Sequence, residues 1–388
     1  MNSEFKKDLI NASELKTVGK NKKALQFYEK CYAEDPEAFT INQKLDFAWT
    51  LYHVKIQNFK NEEELLDSAR FITEMLPQKD LNTNRNCVYT SSIFKVLKYL
   101  NSEEEYFAMC DWIEKLNPDL LDERPYRNYG QLQKSKKEKY YDWATKAYLK
   151  SMEYEKCIDA SKIALNTFKT FLNDGDVWYK WRIAKSLMEL NRFNEALEYY
   201  LEVIKVKNDW YMYRDIAEIH YNLKKPMDAL KYLCHAVLAP IPASIKANVY
   251  YLCYRVFKSF NPEMALKHAE LFYLLKEEKG HSMPYEIEQL NIDSRDLNRR
   301  ELEREITGLW TQYKYKDQKH QHGTVVKYIQ DKNFGFIKTE EGDEIFFHKN
   351  EFSGSDIYIG QLVSFYTEKS FDKAKNKQSL KAVNVRGE

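Results

Sequence analysis

The 388-residue sequence has no excess of either charge: 60 Lys and Arg face 59 Asp and Glu, for a formal net charge of +1. A chain so balanced has no global attraction for nucleic acid or for an anionic membrane, so any basic footprint has to be local. It is also poor in turn formers, with 11 Gly and 9 Pro against 29 Tyr, which argues for helices rather than a large β domain. No run approaches the length of a membrane span, and the opening MNSEFKKDLINASEL has no apolar segment of the kind a secretory signal needs. The six cysteines, Cys31, Cys87, Cys110, Cys157, Cys234 and Cys253, lie far apart and never as C-x-x-C. That spacing offers no zinc clamp and points to a reducing compartment. A cytoplasmic protein without cofactor or metal is expected.

Catalytic signatures are missing too. The chain has no P-loop, no G-x-S-x-G elbow and no H-E-x-x-H, and His320 and His322 stand in a polar stretch without a carboxylate or cysteine cluster beside them. No catalytic residue is nominated. The length is too great for one compact core, so several units or an elongated array are expected.

The densest pattern runs from Gly323 to His348, GTVVKYIQDKNFGFIKTEEGDEIFFH. Alternation puts Val325, Lys327 and Ile329 on one side of a strand and Val326 and Tyr328 on the other. Phe334 and Phe336 straddle Gly335 on a second strand, and Phe346 and His348 share a face of a third. Rings two residues apart leave the same side of a sheet, and the glycine between them removes bulk that would crowd a flat ligand. Ile337, Ile345 and Phe347 have the opposite parity and read as core.

Lys332-Asn333-Phe334-Gly335-Phe336-Ile337 resembles the first ribonucleoprotein motif of the cold-shock domain, and Glu344-Ile345-Phe346-Phe347-His348 the second. Gly360 to Phe365 and Ala382 to Val385 are similar to the family's last two strands. The resemblance implies a small five-stranded all-β OB-fold barrel over residues 322–388 that binds single-stranded RNA or DNA. The family usually carries a tryptophan where Lys327 stands and often an aromatic where Lys349 stands. Both have become cations, so phosphate contacts are expected to weigh more. The nominated nucleic-acid residues are Lys327, Tyr328, Lys332, Phe334, Phe336, Phe346, His348, Lys349, Lys373 and Lys375.

Upstream, one unit recurs: a helix, a short break, and a second helix with small residues facing the first. The clearest copy spans Val177 to Asn208, with Ala184 and Leu187, then Asn191-Arg192-Phe193, then Ala196, Tyr200 and Val203. The next has Ala217 and His220, Pro226, then Ala229, Leu233 and Ala236. This resembles the tetratricopeptide repeat, which implies a mainly α chain with a right-handed α-solenoid of about seven helix pairs over residues 1–282. Helix register is not defined by pattern between residues 39 and 118. Residues 283–313 read as a capping helix with the stripe Leu297, Leu302, Ile306 and Leu309, and 314–321 as a moderately flexible linker.

By offset from the seam residues, a concave groove is expected to present Trp178, Trp181, Lys185, Tyr211, Arg214, Tyr221, Tyr250 and Tyr254 to a protein partner, aromatics and arginine being the usual interface anchors. The basic run Lys134 to Lys150 reads first as a solvated helix face. The sequence thus describes a non-enzymatic adaptor that joins single-stranded nucleic acid, RNA ahead of DNA, to an unidentified protein. One alternative is a scaffold whose barrel has lost nucleic-acid binding. Another, by architectural analogy alone, is an accessory or sensor subunit of a prokaryotic stress or anti-phage system.

Overall fold

The computed structural model describes residues 3–80, 86–128, 130–353, 356–372 and 377–388, and the chain divides into two compact units, residues 1–207 and 208–388. In the first unit the helices are α1 (Ser3–Thr17), α2 (Asn21–Glu34), α3 (Ile41–Leu51), α4 (Glu62–Met75), α5 (Val88–Ser102), α6 (Tyr106–Ile113), α7 (Lys136–Lys150), α8 (Tyr154–Thr167), α9 (Gly175–Glu189) and α10 (Phe193–Val203). A small hairpin, β1 (Tyr126–Asn128) and β2 (Gln131–Gln133), precedes α7. The second unit begins with α11 (Trp210–Asn222), α12 (Pro226–Leu238), α13 (Ala247–Phe257) and α14 (Pro262–Glu277). Taken in order, α1 to α14 make seven helix–turn–helix pairs.

Two features make the pairs alike. The small residues expected in the seam, Ala12, Ala24, Ala144, Ala184, Ala196, Ala217, Ala229 and Ala269, have no exposed surface at all, because helices approach closely only where a methyl replaces a long side chain. The turn inside five of the pairs also repeats one backbone device. A residue in the left-handed region, Gly19, Glu104, Met152, Asn191 or Lys224, ends the first helix. The next residue's N–H then returns to a carbonyl five positions back, as in Lys20 to Leu15, Arg192 to Leu187 and Lys225 to His220, at 2.8–2.9 Å. Such a closure satisfies carbonyls that the helix end leaves open.

After α14 come one turn, α15 (Tyr285–Glu288), and the long helix α16 (Arg299–Tyr315). Asn298 caps α16 by accepting from the Glu301 N–H. Its stripe is Leu302, Ile306 and Trp310, with Leu309 only half-buried, so the stripe runs at i, i+4, i+8 and the tryptophan closes it. The helix does not extend the stack; it packs chiefly across α12 and α14, the second helices of successive pairs. There Trp310 Nε1 donates to His268 Nε2 at 2.8 Å, while His268 Nδ1 donates to the Met264 carbonyl at 2.7 Å. Burial pushes His268 down to about 4, so it is a neutral ring with both nitrogens engaged.

The expected linker 314–321 needs correction at its start, because Lys314 and Tyr315 still belong to α16 and Tyr315 is buried. Its ring lies flat on Tyr366 at 4.4 Å and 8°, and its hydroxyl donates to Glu368 at 3.0 Å. A helix end that stacks on a strand leaves little slack between the two elements.

Residues 321–388 form the barrel: β3 (Gln321–Ile329), β4 (Phe334–Thr339), β5 (Glu344–His348), a two-residue β6 (Phe352–Ser353), β7 (Leu362–Asp372) and β8 (Lys377–Gly387). The order β5-β4-β3-β7-β8 closes through a parallel β5–β8 pairing, and β6 runs beside β8. Val325, Ile337, Ile345, Phe347, Phe352, Val363, Phe365, Ala382 and Val385 fill the interior.

Candidate nucleic-acid interface

The pairing of strands sets which side chains leave the barrel together. Phe336 lies opposite Phe346, and Phe334 opposite His348. The three phenylalanines point away from the filled interior and stand in mutual contact, with ring centroids 5.5, 5.9 and 6.0 Å apart. They are half-buried by one another and by their strands, and each keeps an exposed portion. Lys327, Lys332, His348 and Lys349 surround them and are exposed. His348 Nδ1 accepts from the Asn350 N–H at 3.3 Å, which orients the ring.

A β-bulge in β3 decides which of its residues join this face. Pairing with β4 shifts between Val325 and Lys327, so Val325 faces the core while Lys327 stands opposite Phe336 and Ile329 opposite Phe334. Val325 and Lys327 therefore do not share a side, contrary to the simple alternation, because an inserted residue flips the parity of everything beyond it. Tyr328 is corrected for the same reason. It turns inward and lies parallel to Phe347, 10° between planes at 6.3 Å.

Gly335 needs a parallel correction. A Cβ there would strike the Lys327 carbonyl oxygen and lie 2.6 Å from the Phe347 ring. The glycine makes room for core and backbone rather than for a ligand.

Lys373 and Lys375 lie outside the described residues. The residue that pattern alone missed is Lys381, which stands opposite Phe346 across the closure of the barrel. No local signal marks it, since β5 and β8 are far apart in the chain. Lys381 is 3.4 Å from both Glu351 and Glu368. Glu368 also pairs with Lys314 and accepts from Tyr315. Burial pushes Glu368 up, but hydrogen bonds and charge from Lys314, with the Tyr315 hydroxyl and Lys381, outweigh it and hold the carboxyl below its usual value. Four of the barrel's acids, Glu340, Glu341, Asp343 and Glu344, gather at the β4–β5 turn, away from the ends of the strands that carry Phe334 and His348.

The eight groove candidates divide between the units. In the second, Arg214 lines a cleft of about 520 Å³ with Glu218, Tyr251, Arg255 and Lys276. The Arg255 guanidinium, which pattern missed, sits 4.6 Å from the centre of the Tyr221 ring. Tyr211 is half-buried, and its hydroxyl donates to Asp209 at 3.2 Å. Tyr250 and Tyr254 are corrected: they are 4% and 3% exposed and belong to the buried cluster of the second unit, because four-residue spacing carried both onto a covered side of α13, where the Tyr250 ring meets His268 of α14 at 6.4 Å. In the first unit Trp178 and Trp181 are half-buried in T-shaped contact at 6.2 Å, and Lys185 pairs with Glu189 at 2.9 Å. Of the basic run, Lys136 and Lys137 are not a solvated face but are held in ion pairs with Asp80 and Glu123 at 2.8 and 2.7 Å.

Among the described residues no group of His, Cys, Asp and Glu is placed to hold a metal, and no helix is long and apolar enough to cross a membrane. Residues 321–387 match the family described as the 'Cold-shock' DNA-binding domain, and residues 177–316 match a domain of unknown function, DUF7017. No curated protein matches the sequence. Solved structures similar to the helical part include YrrB, a TPR protein with an unusual peptide-binding site, at 14% identity and TM-score 0.36, covering 49% of this chain and 87% of that one. The apo form of RapI aligns at 13% identity and TM-score 0.43, covering 81% and 89%. A tetratricopeptide repeat protein from Parabacteroides merdae aligns at 12% and 0.36, covering 80% and 100%. The chain joins tetratricopeptide-like helix pairs to a C-terminal cold-shock domain.

Proposed function

We propose that this protein is a non-enzymatic cytoplasmic adaptor whose barrel binds single-stranded nucleic acid and whose helical part docks a protein. The observation that carries the reading is the triangle of Phe334, Phe336 and Phe346 turned outward beside exposed Lys327, Lys332 and Lys349. Rings without a hydrogen-bonding pattern stack on any base, and cations alongside meet the phosphates. RNA is placed ahead of DNA because its bases are more often found unpaired in loops and ends.

Each stacked base contributes on the order of 1 to 3 kcal/mol, so the full chain carrying Phe334→Ala and Phe336→Ala should bind an unstructured oligonucleotide at least about tenfold more weakly. Undiminished affinity in a folded double variant would defeat the reading. For the protein partner, the cleft that sets Arg214, Arg255 and Lys276 against the one lining carboxylate of Glu218 favours an acidic segment. Replacing both with alanine should abolish nuclease-resistant recovery of a partner while the helical circular dichroism is unchanged.

A further inference from the structure

Apart from the cleft of Arg214 and Arg255, the first unit holds one of about 410 Å³, lined by Lys134, Lys139, Asp142, Trp143, Lys146, Arg182 and the groove candidate Trp178. Its walls are α7 and α9, the first helices of consecutive pairs. Residues 139, 143 and 146 share one face of α7, and 178 and 182 one face of α9, by three- and four-residue spacing. Tyr179 ties the two helices together, its hydroxyl donating to Asp142 at 2.9 Å.

The charges in this cleft are unbalanced. Lys134, Lys139, Lys146 and Arg182 line the walls with the single carboxylate of Asp142, which is already engaged by Lys134 at 2.7 Å and by Tyr179, and the buried Glu138 carboxylate behind the wall lies 3.4 Å from Lys134. Lys139 donates to the neutral Tyr126 hydroxyl at 2.6 Å, and Lys146 to the neutral Asn101 amide at 2.5 Å. Both lysines are thus positioned without being neutralised. Arg182 Nη1 is buried with no hydrogen-bond partner among the described residues. Burial, then the nearby Arg182 and Lys150, push the Lys146 ammonium below its ordinary value, as expected where like charges crowd. Two half-buried indoles stand among these cations, and an indole face suits a flat ring.

We propose that this cleft binds a phosphorylated nucleobase, its ring against Trp143 and Trp178 and its phosphate against Lys139, Lys146 and Arg182. The ligand is a free nucleotide or one residue of a single strand, which share that chemistry. An acidic peptide would meet the cations but leave the tryptophans without a flat partner.

The test uses the full chain carrying Phe334→Ala, Phe336→Ala and Phe346→Ala, so that the barrel's rings do not contribute. AMP is titrated by calorimetry and a short fluorescein-labelled oligoadenylate by anisotropy, both at low salt. Lys146→Gln with Arg182→Gln should weaken binding by roughly tenfold or more, and Trp178→Leu by a similar factor. Lys139→Gln, at a half-exposed position that leaves the fold intact, should weaken it by about threefold. Competition by AMP against the oligonucleotide identifies a free nucleotide as sufficient, whereas oligonucleotide binding with AMP inert identifies a strand. Either result supports the site. Absence of binding by both probes, affinity unchanged by the substitutions, or tighter binding of polyglutamate than of the oligonucleotide would overturn it.

Discussion

The barrel platform and the tryptophan cleft bring rings and cations together by opposite routes. On the platform, strand geometry repeats every two residues, so three rings come from a stretch of thirteen residues and their lysines stand exposed around the rim. In the cleft, helix geometry repeats every three to four residues, and the rings come from two helices separated by a whole intervening helix. Its lysines are tethered to Asp142, Tyr126 and Asn101 before any ligand arrives. The comparison teaches that a sheet concentrates rings locally and leaves its cations exposed. A helix pair disperses the surface along the chain and fixes its charges beforehand, a difference expected to show in salt dependence.

The largest expected effect tests whether the two kinds of core are independent. Gly335→Val places atoms on the Lys327 carbonyl and the Phe347 ring, a clash that should cost about 3 kcal/mol or more and unfold the barrel. Loss of oligonucleotide binding at the barrel, with most helical ellipticity retained, is the outcome to look for. Simultaneous melting of the helices would show that the barrel and the helical part share one cooperative core.

Next in size is a pH effect confined to the helical part. His268 is held neutral with a pKa of about 4, below the roughly 6.5 of an unfolded histidine. Between those values the unfolded chain takes up a proton that the folded one does not. Stability is therefore full above about pH 6.5, falls as pH drops, and levels near pH 4, by at most about 3 kcal/mol. Urea titrations followed by helical ellipticity at pH 7 and pH 4.5 measure it. His268→Gln, which keeps an acceptor for Trp310, should flatten the dependence.

A smaller effect sharpens the electrostatic side of the comparison. Lys327→Trp with Lys349→Phe exchanges rim cations for rings, and each neutralised phosphate contributes about 0.7 to the salt slope of a single strand. The slope for oligonucleotide binding should drop by about 1.4, with affinity at moderate salt kept or improved. If the wild type shows no binding and the variant gains it, the barrel is a scaffold that lost its strand. Smallest of all, Lys224→Gly relieves a left-handed residue in the α11–α12 turn and should raise stability by about 0.5 to 1 kcal/mol in a thermal melt. A loss would mean that the side chain has a role of its own there.

Much of this was legible from residues alone. Alanine spacing announced the clear helix pairs, since close helix approach demands small side chains at helical intervals. The run from Phe334 to His348 announced the platform, since parity on a strand is a local property. The recurrent turn was hidden because four of its five left-handed positions are Glu104, Met152, Asn191 and Lys224 rather than glycine. Pattern reading looks for glycine there, whereas the packed helices on either side impose the conformation.

What the sequence by itself determined is therefore everything set by local periodicity: helices, strands, the seam and the outward phenylalanines. Tertiary structure alone decided the rest. The bulge at Val325 and Lys327 turned Tyr328 inward. Barrel closure brought Lys381 opposite Phe346. Packing around α13 buried Tyr250 and Tyr254. The approach of α9 to α7 set Arg182 beside Lys146. Each of these depends on residues distant in the chain meeting at a register that no short-range period encodes, because it is selected by the total packing and hydrogen bonding of both elements at once.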